Sequence, residues 1–504
     1  MADDSKKTED EAKKEREKER EKKAVEARLA ASPIVSKGHV RTVHGTQLDY
    51  LATCEYLPVV EHKFGNDRGE PQAAIFCTAY ELESAAPAAR PVCFAFNGGP
   101  GSSSVWLHLG ALGPKRVVVP DDASMPTPPY AVSDNPLTWL AHFDLVFIDP
   151  PHTGWSITSG DAARKTMLSV DGDVAALTEV MRGWLTRHKR WGSKVYLAGE
   201  SYGTTRGAAL ADSLLNNSVA LAGLILVSCA MDLQGVFFAP RNDLPYATFL
   251  PALANTAQYH GKLKGALAAS PQAARTAAEE FVATDYLRAL HHGARLEGRE
   301  RTRIAKRVAE LTGLSTALVE AQNLRISDFL FFFELLRDQG RQVGRLDARA
   351  TGPMAAQRGR DFEFDPGIEA IAAPYAMATL AYFGEALGLA EAQRYELINF
   401  DTHKAWNWNR GEARGNAYCS TSPDLSRALR RNPHLRVFAA SGRYDLGTPY
   451  SASDWSLAQL DVPSDVMARV EHHYYDAGHM MYTRQADLEK LESDLTAWLQ
   501  AGTS

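Results

Sequence analysis

The chain has 504 residues, 45% of them hydrophobic and 23% charged, with a formal net charge of −6. That is enough for one enlarged domain or two, without the basic excess of a nucleic-acid binder. No apolar run approaches the roughly 18 residues needed to cross a bilayer, so neither nucleic acid nor membrane is an expected partner.

Residues 1–33 read as a charged tail. Ten basic and ten acidic side chains fall within 1–30. Their interleaving suits a solvated helix held by i,i+4 pairs, or a disordered segment. The tail has no apolar core of an export signal, so a cytoplasmic location is expected, and a different start would make it periplasmic or secreted. Cys54, Cys77, Cys93, Cys229 and Cys419 are scattered and odd in number. No pair has metal-ligand spacing, so they read as buried free thiols in a reducing compartment. No metal and no organic cofactor is expected.

Residues 40–60 and 71–83 are rich in β-branched and aromatic side chains punctuated by Gly45, Gly65 and Gly69, which predicts an antiparallel pair. Short apolar runs follow at 92–96, 145–148, 195–198, 221–227 and 435–440, each suited to a strand buried on both faces of a mainly parallel sheet. Between them, Val174, Leu177, Met181 and Leu185 form the stripe of a helix over 170–188. This is the alternation of an α/β fold. It stops near Met231. Residues 248–389 are helical in pattern, with helices predicted at 266–290, 304–314, 328–338 and 376–387. The third is apolar nearly all round, through Phe329, Phe331, Phe332 and Phe333, and reads as buried packing or as a wall facing substrate. The sheet pattern resumes at His434. The expected organisation is a core at 34–235 and 426–504 interrupted by a helical cap at 236–425.

The sharpest local signal is Gly199-Glu200-Ser201-Tyr202-Gly203 between an apolar strand and a helical run. Gly-x-Ser-x-Gly in that context is a nucleophile elbow: small flanks permit the tight turn, and the helix N-terminus faces the developing anion. A serine hydroxyl needs a base and an orienting acid. In the chain order of such hydrolases these are Asp445, on a loop leaving a buried strand, and His479, just before a C-terminal amphipathic helix. His472 and His473 lie on the preceding strand and read as a structural pair, and Asp476 sits too near His479 to reach around its ring. A second motif, Asn97-Gly98-Gly99-Pro100-Gly101-Ser102-Ser103-Ser104, follows a buried strand where a first oxyanion-hole loop belongs. It is not a phosphate loop, having no Lys after its glycines. The expected fold is therefore the α/β-hydrolase fold, with helices on both faces of the sheet.

Together with Gly442-Arg443-Tyr444-Asp445, Gly478-His479-Met480 and Asp149-Pro-Pro-His-Thr-Gly154-Trp155-Ser156, these motifs resemble the serine carboxypeptidase family. The resemblance implies removal of C-terminal residues from peptides through an acyl-enzyme. Ser201 would be nucleophile, His479 base and then acid, and Asp445 the orienting carboxylate. The amides of Gly99 and Tyr202 would form the oxyanion hole, with Asn97, Gly98 and Glu200 binding substrate and Asn97 and Glu200 facing its terminal carboxylate. A Glu in that role shares a proton with the carboxylate, which favours acidic pH. Two departures stand out. The family's Cys after Asn-Gly-Gly-Pro-Gly is Ser102 here. Its second carboxylate-binding Glu, due near residues 110–112, is absent, which leaves Lys115 or Arg116 as substitute charges. The expected partner is a peptide or a small acyl compound, and a dimer is among the oligomeric states left open. An esterase or acyltransferase on the same triad and a catalytically silent binding protein are the competing readings.

Overall fold

The computed structural model describes residues 2–60, 69–84, 86–357, 359–389, 393–411 and 418–502. The turn expected at Gly65 lies outside them. Ten strands form the main sheet. In chain order they are β1 (Ile34–Arg41), β2 (Gln47–Val60), β3 (Pro71–Leu82), β4 (Val92–Phe96), β5 (Asp144–Ile148), β6 (Ile157–Thr158), β7 (Val195–Glu200), β8 (Leu221–Val227), β9 (Arg436–Gly442) and β10 (Val470–Tyr475). Their spatial order is β1-β2-β3-β5-β4-β7-β8-β9-β10, with the short β6 beside β3. The pairs from β5 through β10 are parallel, and β1, β2 and β3 form an antiparallel flank. The stretch expected to be one strand over 40–60 is two, because Gly45 turns the chain at a φ of 84°.

Alternation along each strand divides the core between two faces. On β7, Val195 and Leu197 join a cluster with Val180 and Trp184 of the Val170–Arg187 helix and with Leu210 and Leu214 of the Tyr202–Asn216 helix. Ala198 faces the other way, toward a cluster containing Leu491, Leu495 and Trp498 of the C-terminal helix Gln485–Ala501. Helices therefore cover both faces, as an α/β-hydrolase fold requires.

Insertion residues build a third cluster around Phe249, Leu253, Phe331 and Phe332. The 236–425 stretch is not one unit, however. The helix Pro366–Glu385 sends Tyr375, Tyr382 and Phe383 into the cluster on the sheet, and Ser422–Arg431 sends Leu425 and Leu429 to the opposite face. The run expected as one helix over 266–290 is broken. Ser270 caps a new helix, Pro271–Phe281, by accepting from the Ala273 N–H at 3.1 Å, and Pro271 starts it. The apolar helix Asp328–Glu334 buries Phe331, Phe332 and Phe333 in cap packing and leaves Phe329 exposed. A short hairpin, Arg341–Val343 with Thr351–Pro353, had no periodicity long enough to announce it.

The charged tail forms a helix, Ala2–Ala30, whose last turns dock on the sheet flank. Val25 is buried there, and Lys22 pairs with Glu70 at 2.9 Å. No helix of the described residues is long and apolar enough to cross a membrane. All five cysteines are buried and free.

Candidate active site

Ser201 sits between β7 and the helix Tyr202–Asn216 with φ 60° and ψ −127°. A non-glycine residue at positive φ stores on the order of 1–3 kcal/mol of strain and persists only where its surroundings over-determine it. Here they do. A Cβ on Gly199 would stand 2.2 Å from the Gly203 carbonyl oxygen, so the turn closes only with glycine at that flank. The Ser201 N–H donates to the Val227 carbonyl at 2.9 Å, tying the elbow to the end of β8. The serine is half-buried, whereas His479 and Asp445 are buried.

His479 Nδ1 lies 2.7 Å from Asp445 Oδ2. The other Asp445 oxygen accepts the N–H groups of Gly447 at 2.7 Å and Thr448 at 3.0 Å, and Thr448 Oγ1 donates to Oδ2 at 2.8 Å. A carboxylate so held fixes the orientation of the imidazole through Nδ1. Burial works against the charged form of His479, but Asp445 and then Glu200 outweigh it, and the net shift is upward. The end of β8 sets the two loops side by side. Val227 receives the Ser201 N–H, and the next residue, Ser228, donates to the His479 carbonyl at 2.6 Å.

The glycine loop lies directly on the elbow. A Cβ on Gly98 would meet the Tyr202 amide nitrogen at 2.4 Å. The Tyr202 N–H opens its helix and has no intrahelical acceptor. Gly99, at φ 102°, donates its N–H to no acceptor among the described residues. Arg206, paired with buried Asp173 at 2.6 Å, holds the Asn97 carbonyl at 2.6 Å. Asp149 fixes the far end of the loop by accepting from the Ser104 N–H at 2.8 Å and the Tyr395 hydroxyl at 2.9 Å. Ser102 accepts from the Trp106 indole at 2.8 Å.

Glu200 is buried, with Asn97 Nδ2 donating to Oε1 at 2.9 Å and the Tyr482 hydroxyl to Oε2 at 2.6 Å. Burial pushes its pKa up to about 7. The structure brings neither substitute charge to it. Lys115 pairs with Asp134 and Arg116 bonds Gln485 at 2.9 Å. A Cβ on Gly110 would stand 2.4 Å from the Tyr482 ring and 2.8 Å from the Tyr375 hydroxyl. Tyr482 thus fills the space beside residue 110 and supplies Glu200 with a neutral donor. Sequence reasoning missed Tyr482 and Thr448, three residues after His479 and Asp445 respectively. His472 bonds Asp454 at 2.8 Å and Ser441 at 2.9 Å rather than Asp445, and Asp476 is exposed. Among the described residues no group of three or more His, Cys, Asp or Glu could hold a metal ion.

The sheet order and the elbow define an α/β-hydrolase. Residues 64–238 match the model of the serine carboxypeptidase family. Serine carboxypeptidase-like 33 of Arabidopsis thaliana is 28% identical over 186 residues, 36% of this chain and 37% of that protein. The prohormone-processing carboxypeptidase Kex1 of Saccharomyces cerevisiae superposes with a TM-score of 0.55 at 13% identity, over 90% of this chain and 92% of its own, a likeness of fold. Family segment and fold together place the chain among the serine hydrolases, with its likeness to the serine carboxypeptidases carried by the segment that holds the glycine loop and Ser201.

Proposed function

We propose that the protein is a serine-type carboxypeptidase that releases C-terminal residues from peptides. His479 Nε2 takes the Ser201 proton as Oγ attacks the scissile carbonyl. The amides of Gly99 and Tyr202 receive the oxyanion, and His479 then protonates the departing amine. Water repeats the sequence on the acyl-enzyme. The triad alone serves esterases equally well. What favours a carboxypeptidase is Glu200: a buried carboxyl, held by Asn97 and Tyr482 beside the nucleophile, that keeps its proton up to about pH 7. A protonated carboxyl in that place donates to a substrate carboxylate, whereas an ionised one repels it.

The glycine at 110 and the tyrosine that fills the space beside it favour a second reading, an esterase or acyltransferase on the same triad. Release of amino acids from blocked dipeptides, measured against hydrolysis of simple esters between pH 4 and 8, separates the two. Turnover of esters with blocked dipeptides untouched at every pH sinks the peptidase. The five buried thiols fit a cytoplasmic location.

A further inference from the structure

Among the insertion's contacts with the site, the turn of the cap hairpin, Gly344 to Asp347, meets the loops of both Asp445 and His479. Asp365 receives the N–H groups of Arg345 at 2.8 Å and Leu346 at 3.0 Å. The Arg345 carbonyl then accepts from the Leu446 N–H at 2.9 Å, and the Leu346 carbonyl from the His479 N–H at 2.6 Å. Two consecutive residues are therefore bonded to both triad loops, so the position of Arg345 is set by the catalytic machinery itself.

Its guanidinium lies alongside. Arg345 Cζ is 3.4 Å, and Asp445 Oδ1 3.2 Å, from the point where a Cβ on Gly447 would stand. Yet Asp445 is saturated by its own donors, and Arg345 makes no ion pair and no side-chain hydrogen bond among the described residues. Arg349, four residues on, shows the ordinary outcome for this stretch, binding Asp347 through both Nε and Nη2. A half-buried guanidinium with its whole fork of donors unused beside Asp445, its charge felt also by Asp328 and Asp365, has the geometry to take a planar anion. Its field reaches both sides of the site. It opposes the charge on His479, and it adds to the burial that lowers His403, whose ring faces the Gly99 and Pro100 carbonyls.

We propose that Arg345 is a specificity-determining residue that receives a carboxylate of the substrate beside the triad. This rests on the carboxypeptidase reading and adds a permanent positive charge to it. Glu200 can donate to a carboxylate only while protonated, whereas Arg345 attracts one at any pH in the working range. The carboxylate is either the peptide's own terminus or an acidic side chain, and substrate pairs distinguish the two.

The test uses the full chain and its Arg345→Gln, Arg345→Met and Arg345→Lys variants, with folding checked by circular dichroism and melting temperature. Substrates are blocked dipeptides as free acid and as amide, pairs ending in Glu and Gln, and a depsipeptide with its methyl ester. A charge-assisted bond lost from the site lowers the acid-to-amide ratio of kcat/KM by about thirty-fold in Arg345→Gln and Arg345→Met, mostly through KM, and Arg345→Lys recovers part of it. A fall confined to the Glu-to-Gln ratio assigns Arg345 to an acidic side chain instead. Equal losses on acid, amide, Glu and Gln substrates, or no loss on any, overturn the proposal. If the wild type turns over the depsipeptide but no peptide, the peptidase reading fails and the ratio is read from the depsipeptide and its methyl ester. If nothing turns over, it is read from dissociation constants of the acid and the amide.

Discussion

The Tyr482 hydroxyl donates to Glu200 Oε2 at 2.6 Å, so a tyrosine three residues beyond His479 holds the carboxyl that precedes Ser201. The bond couples the last loop of the sheet to the elbow and sets how readily Glu200 ionises. Burial raises the Glu200 pKa, the facing Asp445 raises it further, and His479, Tyr482 and Asn97 pull it down.

The sign of the resulting pH dependence follows. Glu200 moves from an ordinary 4.5 to about 7, so the folded chain keeps a proton that the unfolded chain would release. If a terminal carboxylate shares that proton, kcat/KM on free-acid peptides falls as pH rises through about 7, and the fall is absent on amidated peptides. Glu200→Gln should lose the limb. A profile of Glu200→Gln that falls at the same pH would remove Glu200 from carboxylate binding.

Stability moves in the same direction. A carboxyl with a raised folded pKa stabilises the fold in its protonated form, and that contribution drains away between pH 4.5 and about 7. Melting temperatures of the wild type should therefore decline across this interval more steeply than those of Glu200→Gln.

Tyr482→Phe removes a bond that lowers the Glu200 pKa. The alkaline limb on free-acid peptides should shift upward in pH, with KM rising more than kcat falls. An unmoved limb in a folded variant would show that the hydroxyl does not govern Glu200.

In the triad, Ser201→Ala should reduce turnover to the residue left by binding and the oxyanion hole. Asp445→Asn should lower kcat by about 10⁴ by favouring the wrong imidazole tautomer. Thr448→Val removes one donor to Asp445 Oδ2 and should cost about tenfold, the scale of one hydrogen bond to a charged group. A loss below tenfold for Asp445→Asn would refute its assignment, and steady-state kinetics on a reactive ester measures all three.

Gly110→Ala places a methyl 2.4 Å from the Tyr482 ring. Overpacking of this kind costs about 1–3 kcal/mol, so the melting temperature should fall together with activity on free-acid peptides. A variant as stable as the wild type would show that Tyr482 yields easily.

Elements with a long or repeated pattern were readable from the residues. The parallel strands β4, β5, β7, β8 and β9 announce themselves as short apolar runs, and the 170–188 helix by its stripe. The elbow is local, since its strand, turn and helix are contiguous. The 266–290 stretch misled because helical periodicity continues through Ser270 and Pro271, where a cap and a helix start break it. Charge composition described the tail but gave no sign of where Val25 would dock.

The amino-acid order by itself determined which strand leads into the elbow at Ser201, because Gly-x-Ser-x-Gly there stands between an apolar strand run and a helical run. It also determined which later loops carry Asp445 and His479. Only the tertiary structure decided what surrounds Glu200 and where Arg345 stands. Tyr482 meets Glu200 across 282 positions of chain, and the 345–346 segment meets Leu446 and His479 across more than a hundred. Such contacts follow from how sheet, cap and loops pack, which no local periodicity encodes.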